Sequence, residues 1–168
     1  MAIDTSSVSP NDAVTALRSY PRRFRSALQP ITDDESIEEL AQQVGPDGQS
    51  AVEVTADVVR TWTVLREALR QIQVSDTPVV HAAVVDASQR QWDLPVRETV
   101  ADVLEQLDDG ATELADDVAA VPGDQWLRTA TVAGTGASVT ALDVVREAVR
   151  TGHDGLTRVE ATLAALRR

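Results

Sequence analysis

Four separate segments of this chain carry an apolar residue at every third or fourth position. That period of about 3.6 restricts each segment to an amphipathic helix with one face turned toward a shared core. In the clearest case Val100, Val103, Leu107, Ala111, Leu114, Val118 and Val121 form a single line. The other lines run through Val14, Leu17, Tyr20, Phe24 and Leu28; through Val54, Val58, Thr61, Leu65, Leu69 and Ile72; and through Leu142, Val145, Val149, His153, Leu156, Val159, Leu163 and Leu166. An apolar stripe is stable only when it is covered by other stripes, so the pattern predicts an all-α four-helix bundle.

Caps and breakers set the predicted ends. Ser9 is an N-cap and Pro10 follows it at the first helical position, where a missing N–H costs nothing. Pro21 falls inside the first line and is expected to bend or split that helix. The acidic piece DDESIEELAQQV predicts one or two further turns before Gly45-Pro46-Asp47-Gly48. Ser50 with Glu53 makes a capping box, which opens a second helix from Ala51 to Ile72. Pro95 is expected to open the third helix and Pro122-Gly123 to end it, while Thr140 and Asp143 begin the last, with Val139 and Val144 spaced as a hydrophobic staple. Residues 74–94 show no period, predict no regular structure, and are long enough for a crossover between the second and third helices. The stretch PGDQWLRTATVAGTGAS reads as loop with room for a short hairpin. Residues 1–9 read as a tail and 10–168 as one domain, a length that buries a sizeable core.

Charge narrows the function classes. The net charge is −12, from 27 acidic against 15 basic residues, and every basic residue is Arg. Such a surface repels a phosphate backbone, whose binding rests on cationic contacts, so nucleic acid is excluded as a partner. There is no Cys, which removes disulfides, thiolate nucleophiles and cysteine metal sites. No apolar run approaches the ~18 residues of a membrane span, and the N-terminus lacks an apolar signal core. The expected setting is soluble and cytoplasmic, away from membranes.

Two imidazoles, His81 and His153, are the only ones available for chemistry. His153 lies on the apolar line of the last helix, and Asp57 beside that of the second. A carboxylate on an inward-leaning face must pair, accept hydrogen bonds or ligate a cation, and bundle cores build metal sites from facing helices. Two readings stay open: Asp57 and His153 as ligands of a divalent ion whose shell Thr157 or water completes, or the same two groups as a satisfied polar pair. Transition-metal sites usually take three strong protein ligands, and a threonine hydroxyl is a weak third, which favours the pair. His81 and Trp126 are the candidates to line a pocket at the bundle mouth. Gly134-Thr135-Gly136 reads as a turn, and the acidic runs as solvated helix surface.

The segments SAVEVTADVVRTW, PVRETVADVLEQLDDGATELADDVAAVPGDQW and GASVTALDVVREAVRTGHDGLTRVEATL together resemble the second, third and last helices of DinB-like proteins. That family includes YfiT-like proteins and the metal-binding domain of mycothiol-dependent maleylpyruvate isomerases. The likeness covers residues 10–168 and lies in pattern and order. It implies a four-helix bundle in which one His of helix two and two of the last helix hold a divalent metal, with thiol-dependent transfer or isomerisation in several members. The helix-two His falls on Asp57, the first His of the last-helix pair on His153 and the second on Thr157. The Trp that precedes the helix-two serine falls on Gln49.

The expected function is therefore that of a DinB-like bundle with a weakened or lost metal site, binding a small ligand or a partner, with no cofactor. The alternatives are a divalent-metal-dependent (Zn, Ni or Mn) thiol S-transferase or isomerase of the mycothiol type, or a structural homodimer. Whether the chain is an enzyme stays open. A homodimer through a helical face is expected because related bundles look dimeric.

Overall fold

Each long helix starts at a reciprocal cap. In the computed structural model, which describes residues 4–33, 35–90, 92 and 96–168, α1 (Pro10–Ala27) opens at Ser9, whose hydroxyl accepts the Asp12 N–H while the Asp12 side chain accepts the Ser9 N–H. The same box opens α3 (Ala51–Val74) through Ser50 and Glu53, α4 (Val100–Ala120) through Thr99 and Asp102, and α5 (Ala141–Leu166) through Thr140 and Asp143. A short α2 (Ile37–Gln42) lies between α1 and α3. These caps satisfy N–H groups that have no partner inside a helix.

Three expectations need correction. Helix α1 runs unbroken through Pro21, whose ring is buried. Helix α4 begins at Val100 because the Thr99–Asp102 box sets the start there; Pro95, expected as its opener, lies outside the described residues. Residues 4–9 are not a free tail: Thr5 is fully buried, Arg150 donates to its hydroxyl and Arg146 to the carbonyl of Val8.

Side-chain pairings between helices give their directions. Arg18 meets Asp116 and Arg25 faces Asp108, so α1 and α4 run antiparallel. Arg66 meets Glu113 and Asp117, and Arg70 meets Asp117, so α3 and α4 run parallel. The indole N–H of Trp62 donates to the carbonyl of Ala148 at 2.9 Å across antiparallel α3 and α5. Helix α1 packs on α4 and α5, and α3 packs on the same two, which leaves α1/α3 and α4/α5 as the diagonals. Because α3 and α4 are parallel, the chain after Val74 must travel back along the bundle before α4 can begin. The long connection is thus the crossover that the sequence allowed for.

That connection is not without regular structure. It carries the strand β1 (Val79–Val80) and 3-10 turns at Ala82–Val84 and Ala87–Gln89. Strand β1 pairs in parallel with β2 (Thr129–Val132), which pairs antiparallel with β3 (Ser138–Thr140) in a hairpin. This small sheet closes one end of the bundle. A two-residue strand has too few side chains to leave a period of two, so it is illegible in sequence. The core itself is Val, Leu and Ala around Trp62, Phe24 and Tyr20. Among the described residues, no helix is long and apolar enough to cross a membrane.

Candidate functional site

The crossover lies over the groove between α3 and α5, and a cleft of about 830 Å3 opens beneath it. Helix α3 turns Glu53, Asp57, Arg60 and Thr61 toward it; α5 contributes Glu147, Arg150, Thr151, Asp154 and Arg158; the crossover adds Val85, Arg90 and Trp92. Four arginines and four carboxylates line it, an even balance in a chain of net charge −12.

Two glycines decide which residues of α5 reach the cleft. A β-carbon on Gly152 would stand 2.6 Å from the Tyr20 ring, and one on Gly155 would collide with Val58. Helix α5 therefore lies in close contact with α1 and α3 at these positions, and its inward face runs through Val149, Gly152, Gly155, Leu156 and Val159. This corrects the sequence reading, which put His153 on the inward line. His153 is only partly buried and does not line the cleft. Thr157 is exposed, and its hydroxyl donates to the carbonyl of His153 at 3.0 Å. Asp57 does line the cleft, but facing it from α5 are Asp154 and Arg158, one residue beyond His153 and Thr157. The readable signal was the pair of glycines itself, since glycine inside a helix costs about 1 kcal/mol and usually marks close packing.

Asp57 is held by neighbours on its own side of the groove. The side-chain amide of Gln49 donates to its Oδ2 at 2.7 Å, and Arg60 stands 3.5 Å from its Oδ1. Burial pushes its pKa above the ordinary value of 3.8, against the opposing pull of the Gln49 hydrogen bond and of Arg60 and Arg158. The carbonyl oxygen of the same Gln49 amide accepts from Arg158, which also donates to Asp47 at 2.9 Å. Gln49 thus bridges the Asp57 carboxylate and the Arg158 guanidinium.

At the other end of the cleft Glu147 is shared by Arg90 and Arg150, each at 2.8 Å. Arg90 also donates to the carbonyls of Ala83 and Val84, which ties the crossover to α5. Among the described residues, three polar groups of the cleft have no such partner. The Thr151 hydroxyl and the Trp92 indole N–H are buried without a hydrogen bond. The Asp154 carboxylate accepts no hydrogen bond and joins no ion pair among the described residues.

The other sequence candidates lie elsewhere. The Nδ1 of His81 accepts the Ala83 N–H at 3.0 Å and caps a 3-10 turn, so the ring is exposed and outside the cleft. Trp126 packs on the core beside the hairpin, where its carbonyl accepts the Leu142 N–H. Among the described residues, no group of three or more His, Asp or Glu side chains could hold a metal ion. Asp57, Asp154 and Arg158 supply two carboxylates and a guanidinium, and the latter stays charged and only donates. This set does not fit the three-ligand centre that the resemblance implies.

No family model matches the chain, and neither does any curated relative. Among solved structures it is similar to YfiT from Bacillus subtilis, described as a probable metal-dependent hydrolase with an unusual four-helix bundle topology. The match has a TM-score of 0.73 at 14% identity and covers 94% of this chain and 89% of that one. The parallel α3 and α4, joined by a crossover and packed with α1 and α5, thus share the four-helix bundle fold of that structure.

Proposed function

We propose that this protein binds a small polar molecule in the cleft beneath the crossover and has lost the metal centre of its structural relatives. The observation that carries this reading is the Asp57–Gln49–Arg158 bridge. A fixed guanidinium and a carboxamide attend Asp57, where a metal centre needs imidazoles or carboxylates. A positive charge supplied by the chain makes a divalent ion redundant there and repels it. The remaining lining is that of a ligand site: an apolar floor of Val54 and Val58 with a few convergent polar groups, in a volume suited to a small molecule.

A second reading, a divalent-metal-dependent enzyme, rests on the description of the Bacillus subtilis neighbour. On that reading Asp57 and Asp154 would be the carboxylate donors, joined by a ligand from outside the cleft. Calorimetric titration with Zn2+, Ni2+ and Mn2+ separates the two. The ligand-binding reading expects no submicromolar site, whereas tight stoichiometric binding that disappears in Asp57→Ala would establish the metal reading. A fragment screen read by amide chemical shifts then tests the cleft itself. Shifts concentrated at residues 53–61, 147–158 and the crossover residues Val85, Ala87, Arg90 and Trp92 are expected, and a screen that leaves those amides unmoved would refute a ligand site.

A further inference from the structure

Residues 4–9 and the crossover both lie against the first half of α5, and arginines hold each of them there. Arg150 donates to the buried Thr5 hydroxyl at 2.9 Å, and Arg146 donates to the Val8 carbonyl at 3.1 Å. On the crossover Arg90 donates to the carbonyls of Ala83 and Val84 at 2.7 and 3.2 Å. Glu147 joins the two sets, because one of its oxygens accepts from Arg150 and the other from Arg90, each at 2.8 Å. Asp4 attracts Arg150 and Asp86 attracts Arg90, so charges of alternating sign run from one segment to the other through Arg150, Glu147 and Arg90. Among the described residues no hydrogen bond or ion pair joins the two segments directly, and a gap of about 330 Å3 lies between Thr5 and Ser6 on one and Val84 and Val85 on the other.

We propose that residues 4–9 are a strap that holds the crossover closed over the cleft, acting through Arg150, Glu147 and Arg90. Both segments are of the kind that opens locally at low cost: Asp4, Ser6 and Ser7 are exposed, as are Val85 to Gln89, and each segment depends on a few anchors. Thr5 fixes the exposed guanidinium of Arg150, which then keeps Glu147 turned to Arg90. Without Thr5 that guanidinium turns into water, and Glu147 loses one of its two fixed donors. Charge-assisted bonds in one network strengthen one another, so the loss is felt at Arg90 and at the carbonyls it holds. Val85, Ala87 and Arg90 are the part of the cleft wall that then lifts. This concerns access to the cleft and holds with or without the ligand-binding reading.

The parent has no Cys, so Thr61→Cys places a single buried thiol in the cleft wall. Its rate of labelling by N-ethylmaleimide, a neutral reagent, then measures how often the cleft opens. Adding Thr5→Val keeps the shape of the side chain and removes the acceptor. Labelling is expected to quicken about threefold or more, and hydrogen exchange at residues 83–90 with it, while the amides of α4 keep the parent rate. In a Glu147→Gln background the relay is already cut, and Thr5→Val should change neither rate. Thermal melting establishes that each variant is folded. If Thr5→Val does not fold, Arg146→Gln takes its place, since it frees the strap at Val8 and carries the same expectations. Parent rates of labelling and exchange in the strap variant would overturn the proposal. So would an undiminished effect in the Glu147→Gln background, or acceleration that extends to α4, which would mean a loss of global stability with no strap action.

Discussion

Gly152 faces the ring of Tyr20 so closely that a β-carbon would come within 2.6 Å of Cε2, and the ring cannot retreat because its hydroxyl donates to the Val149 carbonyl at 2.8 Å. Overpacking of this kind costs about 1–3 kcal/mol, and the gain in helix propensity from alanine returns about 1. Gly152→Ala is expected to lose up to about 2 kcal/mol in urea denaturation. Gly110, in α4, is the control, since the nearest atom to its added β-carbon is 4.0 Å away. There the propensity term acts alone and Gly110→Ala should gain about 0.5–1 kcal/mol. Similar stabilities for the two variants would mean that α1 and α5 are not in close contact.

Arg90 holds the crossover on the bundle through two backbone carbonyls and Glu147, with only 11% of its side chain exposed. Arg90→Ala leaves the carbonyls of Ala83 and Val84 without that donor, while Glu147 keeps Arg150. Losing charge-assisted bonds at a buried site should cost about 2–3 kcal/mol. Hydrogen exchange should quicken at the amides of residues 83–90 well before the helices respond. Uniform acceleration across the chain would instead mean that the crossover and bundle open as one unit.

Asp57 carries a pH signature of definite sign. Its folded pKa is raised above 3.8 by burial, so between that value and the folded pKa the native state binds more protons than the unfolded chain. Ionised Asp57 therefore lowers stability as pH rises through that window. Asp57→Asn cannot ionise, and it should melt higher than the parent at pH 7, with the gap closing below about pH 3.8. A variant that melts lower than the parent at pH 7 would show that the bonds to Gln49 and Arg60 outweigh the burial of the charge.

Arg158 is the residue to exchange if the bridge to Gln49 has replaced a metal centre. Arg158→His removes the fixed cation and adds an imidazole on the cleft face, alongside Asp57 and Asp154. Three ligands of the right type are then present, and Zn2+ binding with a Kd of about 1 μM is expected where the parent has none. Binding should disappear in the double variant that also carries Asp57→Asn. If Arg158→His binds no better than the parent, positions 57, 154 and 158 do not converge.

The long helices were legible because local chemistry writes them directly. An apolar residue every third or fourth position, and Ser50 three residues before Glu53, specify a helix and its start whatever else the chain does. The crossover was legible as a length, and the hairpin as a loop with room for one. The start of α4 was misread because Pro95 is a strong local signal, while the Thr99–Asp102 box that opens the helix is a quieter one.

The facing of α5 was decided only by tertiary structure. From the apolar line alone His153 looked inward, since a helix wheel gives the direction of its stripe to within about one residue, or ~100°. Which side chain lies at the centre of that stripe depends on where the neighbouring helices can come into close contact, and they do so at Gly152 and Gly155. That small rotation moves His153 and Thr157 off the cleft and brings Asp154 and Arg158 onto it. The same holds for Gln49, Asp57 and Arg158: their residue types stand in the sequence, but their meeting follows from the antiparallel packing of α3 on α5, an arrangement that no local period encodes.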